Sequence, residues 1–488
     1  MTKLLTKSKF MTGLQCPKCL WTVFNRPELI PEPDEATQRI FDQGTKVGIL
    51  AQSLFSGGVD AQVEDFMESI NKSKELLKEK KPLFEPGFMV NNCYARADIL
   101  VPVDEGWDIV EVKMGTRVKE ENVYDVAFQK YVYSLAGLKI NRCFLMHINN
   151  EYVKQGEIDA SKLFVKEDIT ESVESIKDIK GRVEEMFKVI SLPESPKMKI
   201  GQHCKSPYDC DLKEECFKDL HESNIFCLYR GGQKCFDLVE MDILDMKDIP
   251  DDFKLTTNQQ IQRKCAKTGE VHVNKERLKE WISGLEYPLY FLDFESYQTA
   301  IPIYDGTRPY QQICFQFSLH VQEKAGGELK HISFLAEGKE NPMKEFIAKL
   351  KECLGTSGSI IVYNQSFEKA RIKECVEMFP EFKAWSEVVL KRIVDLLVPF
   401  RNFWYYNPIQ KGSASIKKVL PAVTGKSYEG LEIADGGDAS LQYLNITHGE
   451  NISDEEVKRV RDALESYCGL DTEGEVWILD RLKDIVKK

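Results

Sequence analysis

Tyr287-Pro288-Leu289-Tyr290-Phe291-Leu292-Asp293-Phe294-Glu295 is an apolar run that ends on two acids. Its length and aromatic content predict a buried strand, in which alternate side chains point to opposite faces. Asp293 and Glu295 therefore share a face. Acids within such a strand cost free energy unless a cation or hydrogen bonds compensate them, which makes this pair the most informative in the chain. From Glu286 onward, strand-like and helix-like patterns alternate, which predicts an α/β domain over residues 281–488.

Two later stretches add chemistry to this strand. Ser359-Ile360-Ile361-Val362-Tyr363 predicts a second strand, and Asn364-Gln365-Ser366-Phe367-Glu368 leads from it into a helix. A long helix is predicted from Ser453 to Leu482, with Ser453 and Glu456 spaced as a capping box. Within it Tyr467 and Asp471 lie one turn apart on one face. Taken alone, Tyr-x-x-x-Asp also fits a solvated helix face. Asp-x-Glu, Asn-x-x-Phe-acid and Tyr-x-x-x-Asp in this order resemble the DEDD exonucleases of the tyrosine-bearing type. That resemblance implies an RNase H-like fold, with Asp293, Glu295, Glu368 and Asp471 holding two divalent cations, Mg2+ or Mn2+. It further implies that Tyr467 positions a water and that cleavage proceeds from the 3′ end. An aspartate is commoner at the place of Glu368. Asp395-Leu396 and Gly412–Lys417 resemble accessory features of such domains, and Asn364, Ser415 and Lys417 are expected to bind substrate, the latter two near its phosphates.

Upstream, Ala95–Val103 predicts a strand, Asp104-Glu105-Gly106 a turn, and Trp107–Lys113 a returning strand. Glu111 and Lys113 are two apart and point the same way, so the hairpin can gather them with Asp98. Two carboxylates there can hold a divalent cation, and the lysine can orient or deprotonate a water. A plain cross-strand charge pair fits the same residues. A helix follows from Lys119 to Leu138, carrying Gln129 and Tyr133 on one face, and then an apolar strand, Cys143–Met146. Strand, turn, Glu-x-Lys strand and Gln-x-x-x-Tyr helix resemble the RecB-like branch of the PD-(D/E)XK nucleases. The resemblance implies a restriction-endonuclease-like fold over residues 1–220, with Asp98, Glu111 and Lys113 catalytic and the two acids holding metal. Gln129 and Tyr133 would support that site or contact DNA. Many relatives add a histidine from an upstream helix, but the first histidine here is His147. Gln52 falls where it is expected, and Glu85 is a second candidate to assist.

Cys16-Pro17-Lys18-Cys19 near the start and Cys204, Cys210 and Cys216 after the nuclease-like region stand apart from the singly scattered cysteines. Four converging thiolates suit zinc or an iron–sulfur cluster. Cysteines bracketing a PD-(D/E)XK core resemble the iron–sulfur nucleases, which implies a structural 4Fe-4S cluster on Cys16, Cys204, Cys210 and Cys216, with Cys19 extra.

Fourteen cysteines in a chain whose start lacks an apolar leader argue for a reducing, cytoplasmic setting rather than a disulfide framework. The net charge of −12 excludes a global basic footprint, so nucleic acid, DNA before RNA, must bind in a local cleft. Residues 221–280, with Gly231-Gly232, Pro250 and polar runs, are expected to connect the two domains. A nucleic-acid-binding adaptor with degenerate sites, or a zinc-stabilised scaffold, are the alternatives to a nuclease.

Overall fold

The computed structural model describes residues 3–487 as a mixed α/β protein that divides into two compact units. One unit takes the chain up to Asp219 together with Thr299–Gln311; the other takes Leu220–Gln298 and the chain from Gln312 onward.

The first unit is built on a six-stranded sheet whose strands lie in chain order: β1 (Val59–Asp60), β2 (Leu83–Phe84), β3 (Ile99–Val103), β4 (Gly106–Lys113), β5 (Ile140–Ile148) and β6 (Phe164–Asp168). β3 and β4 form an antiparallel hairpin closed through Val103 and Gly106, whereas β5 runs parallel to β4. The parallel step requires a crossover, supplied by a helix between them. The helices used below are α1 (Lys7–Gln15), α2 (Pro17–Asn25), α3 (Glu35–Gln52), α4 (Glu120–Leu135) and α5 (Ile179–Ile190). α1 and α4 meet through Phe10 and Phe128, whose rings stack at 4.5 Å. Both rings are fully buried, each contributing roughly 2–3 kcal/mol of hydrophobic stabilisation.

The single strand expected over Ala95–Val103 is two. Cys93–Arg96 joins a separate small sheet with Leu5–Thr6 and Gly87–Val90, and Asp98 sits at the break before β3. Asp98 Oδ2 accepts from the Val112 N–H at 2.6 Å, which anchors that break to β4.

In the second unit β7 (Leu289–Tyr297) is the centre of a five-stranded sheet with β8 (Ile313–Gln322), β9 (Leu329–Leu335), β10 (Ser359–Val362) and β11 (Ile393–Asp395). The order is β9-β8-β7-β10-β11; β7, β8 and β9 are antiparallel, and β10 and β11 run parallel to β7. The helices are α6 (Thr257–Thr268), α7 (Lys275–Ser283), α8 (Met343–Cys353), α9 (Gln365–Met378), α10 (Ile416–Thr424), α11 (Gly436–His448) and α12 (Asp454–Lys487). α12 packs across β7 and β8. Its register is fixed by polar bonds: Gln316 Nε2 donates to the Leu464 carbonyl at 2.9 Å, and the Ser318 and Thr472 hydroxyls lie 2.7 Å apart. At the start of α12 the Ser453 hydroxyl accepts from the Glu456 N–H at 3.2 Å, but the Glu456 carboxylate turns to Arg459 rather than back to the cap.

Two expected boundaries are corrected. Residues 221–280 are no connector: Leu278 of α7 lies in the same apolar core as Leu289 and Phe291, and His272–Val273 pairs with Tyr405–Tyr406. Gln262 further binds the Cys227 carbonyl at 2.6 Å. Conversely, Thr299–Gln311 belongs with the first unit, where Ala300 packs in the cluster of Val112 and Ile148, and Asp305 pairs with Lys154 at 2.8 Å. Local pattern marks elements but does not say which core they join. No helix among the described residues is long and apolar enough to cross a membrane.

Candidate functional site

β7 carries Asp293 and Glu295 to its C-terminal end, where a bulge against β8 falls between Glu295 and Ser296. Bulges re-aim side chains at such places. Asp471, on α12, completes a trio: ligand oxygens of Asp293, Glu295 and Asp471 all lie within 4.8 Å of one another. No other trio of acids, cysteines or histidines among the described residues meets that spacing. Glu368, on the first turn of α9, is 1% exposed, and its Oε2 has no hydrogen-bond partner.

Burial, followed by the charges of its neighbours, pushes Asp293, Glu295 and Glu368 well above the usual carboxylate range. Asp471 is pushed up to about 6 by burial, against the Tyr428 hydroxyl, Lys417 and the Tyr467 hydroxyl, which favour its charge. Tyr428 donates to Asp471 Oδ1, a partner the sequence reading did not find because no motif contains it. Lys417 lies 5.7 Å from the Tyr467 ring centroid, and its charge favours the ionised forms of Glu295 and Asp471. Arg371, one turn beyond Glu368, is already committed to Glu374 at 2.6 and 3.0 Å. The acids thus outnumber their cations.

The expected substrate contacts divide. Lys417 stands at the acids, but Ser415, at the head of α10, makes no side-chain cap bond and is exposed. Asn364 has a left-handed backbone, φ 82°, at the turn from β10 to α9, and its side chain accepts from Ser366 at 2.7 Å. Its N–H donates to Asp395 Oδ1 at 3.0 Å, so Asp395 shapes this turn. Asn364 sets the turn that delivers Glu368, and its side chain is engaged locally.

In the first unit Glu111 is the hub. Its Oε1 accepts from Lys113 at 2.6 Å and from Lys7 at 2.8 Å, and its Oε2 from Gln129 at 2.8 Å. Lys113 also donates to Asp125 at 2.8 Å, and Gln129 to Asp125 at 3.0 Å. Burial opposes the charge on Glu111, but Lys113 and Lys7 together hold its carboxyl below the usual range. Asp98, half-buried beside Glu111, is pushed up to about 7 by desolvation and then by the charge of Glu111. For Lys113, burial favours the neutral amine but Glu111 and Asp125 outweigh it, so the side chain is a fixed cation rather than a base.

Tyr133 departs from its expected place. It is fully buried; its hydroxyl accepts from Ala97 N at 2.9 Å and donates to the Pro86 carbonyl at 2.5 Å. It therefore holds the strand break before Asp98 rather than facing the cleft. That cleft, of about 610 Å³, is lined by Lys7, Gln52, Glu85, Asp98, Glu111 and Lys113 among others. Glu85 is paired with Arg96 at 2.8 Å. Lys7 and Asp125 were missed: Lys7 is remote in sequence, and Asp125 lies one turn before Gln129 without belonging to any motif.

Cys16, Cys204, Cys210 and Cys216 line one small cavity in the same unit, and Cys19 packs against them. Burial pushes the Cys16 and Cys204 thiols up, whereas a hydrogen bond with Cys19 brings Cys210 down to about 7. Tetrahedral zinc with Zn–S bonds of about 2.3 Å needs sulfurs roughly 4 Å apart. No three of these thiols lie within 4.8 Å of one another.

Residues 290–415 match a family described as a domain of unknown function, DUF2779. The match takes in Asp293, Glu295, Asn364, Glu368 and Ser415 and stops short of Tyr467 and Asp471. The chain is 28% identical over 227 residues to "Uncharacterized protein MG366 homolog" of Mycoplasma pneumoniae, covering 42% of this chain and 33% of that one. It is 26% identical over 224 residues to "Uncharacterized protein MG366" of Mycoplasma genitalium, covering 41% and 32%. To "Uncharacterized protein UU173" of Ureaplasma parvum it is 31% identical over 144 residues, covering 27% and 21%. The chain spans a third or less of these relatives, whose names state no activity.

Proposed function

We propose that the chain is a metal-dependent nuclease, with a 3′-end exonuclease site in the second unit and a PD-(D/E)XK-type site in the first. The observation that carries this reading is the trio Asp293, Glu295 and Asp471, with Asp293 half-buried and the other two buried, together with buried Glu368, which feels the charge of Asp293. Oxygen ligands at that spacing suit Mg2+ or Mn2+. The sheet order, three antiparallel strands continued by two parallel ones with the acids on the central strand, supports an RNase H-like second unit. The mixed sheet with Asp98 before β3 and Glu111 and Lys113 at the end of β4 supports a restriction-endonuclease-like first unit.

When bound, two divalent cations lower the pKa of a water and stabilise the leaving 3′ oxygen. The protein's own groups do the rest. Tyr467 orients the water beside Asp471, Lys417 offers positive charge to a phosphate, and the bulge after Glu295 holds both β7 acids toward the same point. In the first unit Gln129 and Lys113 fix Glu111, and Tyr133 fixes the backbone that presents Asp98. Cys16, Cys204, Cys210 and Cys216 would hold a 4Fe-4S cluster that ties α2 to the segment after α5, with Cys19 beside it.

The test offers 5′-labelled single-stranded DNA and Mn2+ to the full chain. Stepwise shortening from the 3′ end, lost in Asp293→Ala and Asp471→Ala but kept in Glu111→Gln, is expected; unchanged shortening in Asp293→Ala refutes the site. Anaerobically purified protein should be brown and hold iron and sulfide, and colourless protein with stoichiometric zinc would overturn the cluster. For the first unit a second reading, binding without cleavage, is favoured by the two lysines already on Glu111. Retained DNA binding without cation-dependent cutting in Asp293→Ala would support it.

A further inference from the structure

Lys369, Lys373 and Lys391 line a cavity of about 420 Å³ in the second unit, together with Leu390 and Glu387. Lys369 and Lys373 come from successive turns of α9, and Lys391 from the helix Lys383–Arg392 that packs against it. Like charges that converge repel one another, a cost that acidic partners usually remove. Lysines nearby are paired in that way: Lys344 reaches Glu381 at 3.8 Å, and Lys349 reaches Glu352 at 2.9 Å. Among the described residues none of the three has an ion pair, and Glu387 on the same wall stays outside ion-pair distance of them all. Lys369 donates only to the neutral Gln365 side chain. It follows directly on Glu368, so the patch borders the turn of α9 that carries this acid. Lys369 and Lys373 stand about 6 Å apart along the helix axis, a repeat matched by successive phosphates of an extended single strand. In a chain of net charge −12, a polyanion finds its best footing where cations gather free of acids.

We propose that Lys369, Lys373 and Lys391 form a track for the phosphate backbone of single-stranded nucleic acid, apart from the reacting acids. Each lysine neutralises a phosphate and releases its counterions without reading sequence. The track holds nucleotides on the 5′ side of the cleaved end and delivers that end to the acids of β7 and α12. This inference rests on the exonuclease reading of the second unit.

Its test measures binding of a labelled oligothymidylate to the full chain, without divalent metal, across a series of salt concentrations. The combined Lys369→Gln, Lys373→Gln and Lys391→Gln variant should bind more weakly. Its salt slope should fall by about 2, at roughly 0.7 for each lost phosphate contact. Arginine at all three positions keeps the charge and should restore the wild-type slope, and Asp293→Ala should leave that slope unchanged. An unchanged slope in the glutamine variant, with Mn2+-dependent shortening by wild type intact, overturns the track and leaves the exonuclease site standing. A wild type that binds the strand but never shortens it overturns the exonuclease reading, and with it the delivery of an end. An arginine variant as weak as the glutamine one would show that packing rather than charge is at work. Polyglutamate competing as well as the strand would assign the surface to an acidic protein. Either of these last results overturns the proposal.

Discussion

Lys7 and Lys113 converge on one oxygen of Glu111, so the first-unit carboxylate is neutralised from within. Any cation there competes with both ammonium groups. Lys7→Ala should therefore tighten Mn2+ binding at this site by about tenfold, since roughly 1.4 kcal/mol corresponds to that factor. Lys113→Ala should tighten binding too but abolish first-unit cleavage. Weaker Mn2+ binding in Lys7→Ala, measured calorimetrically in an Asp293→Ala background, would show that Lys7 supports the ion instead. A second residue with a signed consequence is His320. Its Nδ1 lies 2.8 Å from the Thr472 hydroxyl, and its ring stacks on His331 at 4.4 Å. Burial, then His331, pushes His320 down to about 4. The unfolded chain takes up this proton near the ordinary histidine value, while the folded chain resists it. The neutral ring thus contributes stability above about pH 6.5 that is lost as the pH falls toward 4. Comparing wild type with His320→Asn across that window, the wild type should lose about 2 kcal/mol more. Parallel pH profiles from denaturant melts would refute the assignment.

At the scale of elements, α12 delivers Tyr467 and Asp471 from successive turns, so its register against β8 sets where Asp471 meets the β7 acids. Ser318 and Thr472 pin that register, and Gly469 lies between the functional turns. A Cβ at Gly469 would come no closer than 3.6 Å to His331, an ordinary contact. Gly469→Ala should thus raise stability by about 0.5–1 kcal/mol through helix propensity and the unfolded-state entropy. A fall in the urea midpoint would mean that α12 needs closer approach there than the geometry shows. The period-2 and period-4 relations that pair Asp293 with Glu295 and Tyr467 with Asp471 are local, and they were legible. The break between Cys93–Arg96 and β3 was not, because Ala95–Val103 has one continuous strand-like composition and only the competing sheet with Leu5–Thr6 interrupts it.

On the scale of the whole molecule, the division into two units changes what a separable piece must contain. A fragment beginning at residue 281 removes Leu278 from the core around Leu289 and Phe291, and strips the His272–Val273 partner from Tyr405–Tyr406. In a fragment of residues 220–488 the sheet core should stay folded and resist proteolysis apart from Thr299–Gln311, which loses the core it packs in, whereas residues 281–488 should be degraded throughout. Equal resistance of the two in a timed trypsin digest would contradict the packing of residues 221–280.

Sequence alone determined the α/β character, the acids of the central strand and late helix, the Glu-x-Lys strand, and the two cysteine groups, because each depends on spacing within one element or on residue type. Only the tertiary structure decided that Lys7 and Asp125 join Glu111, that Tyr133 braces the backbone, and that Tyr428 binds Asp471. It alone placed Thr299–Gln311 in the first unit and residues 221–280 in the second. Those facts depend on contacts between distant segments, which are set by how buried surfaces pack and which buried polar atoms remain to be satisfied, and no periodicity along the chain encodes them.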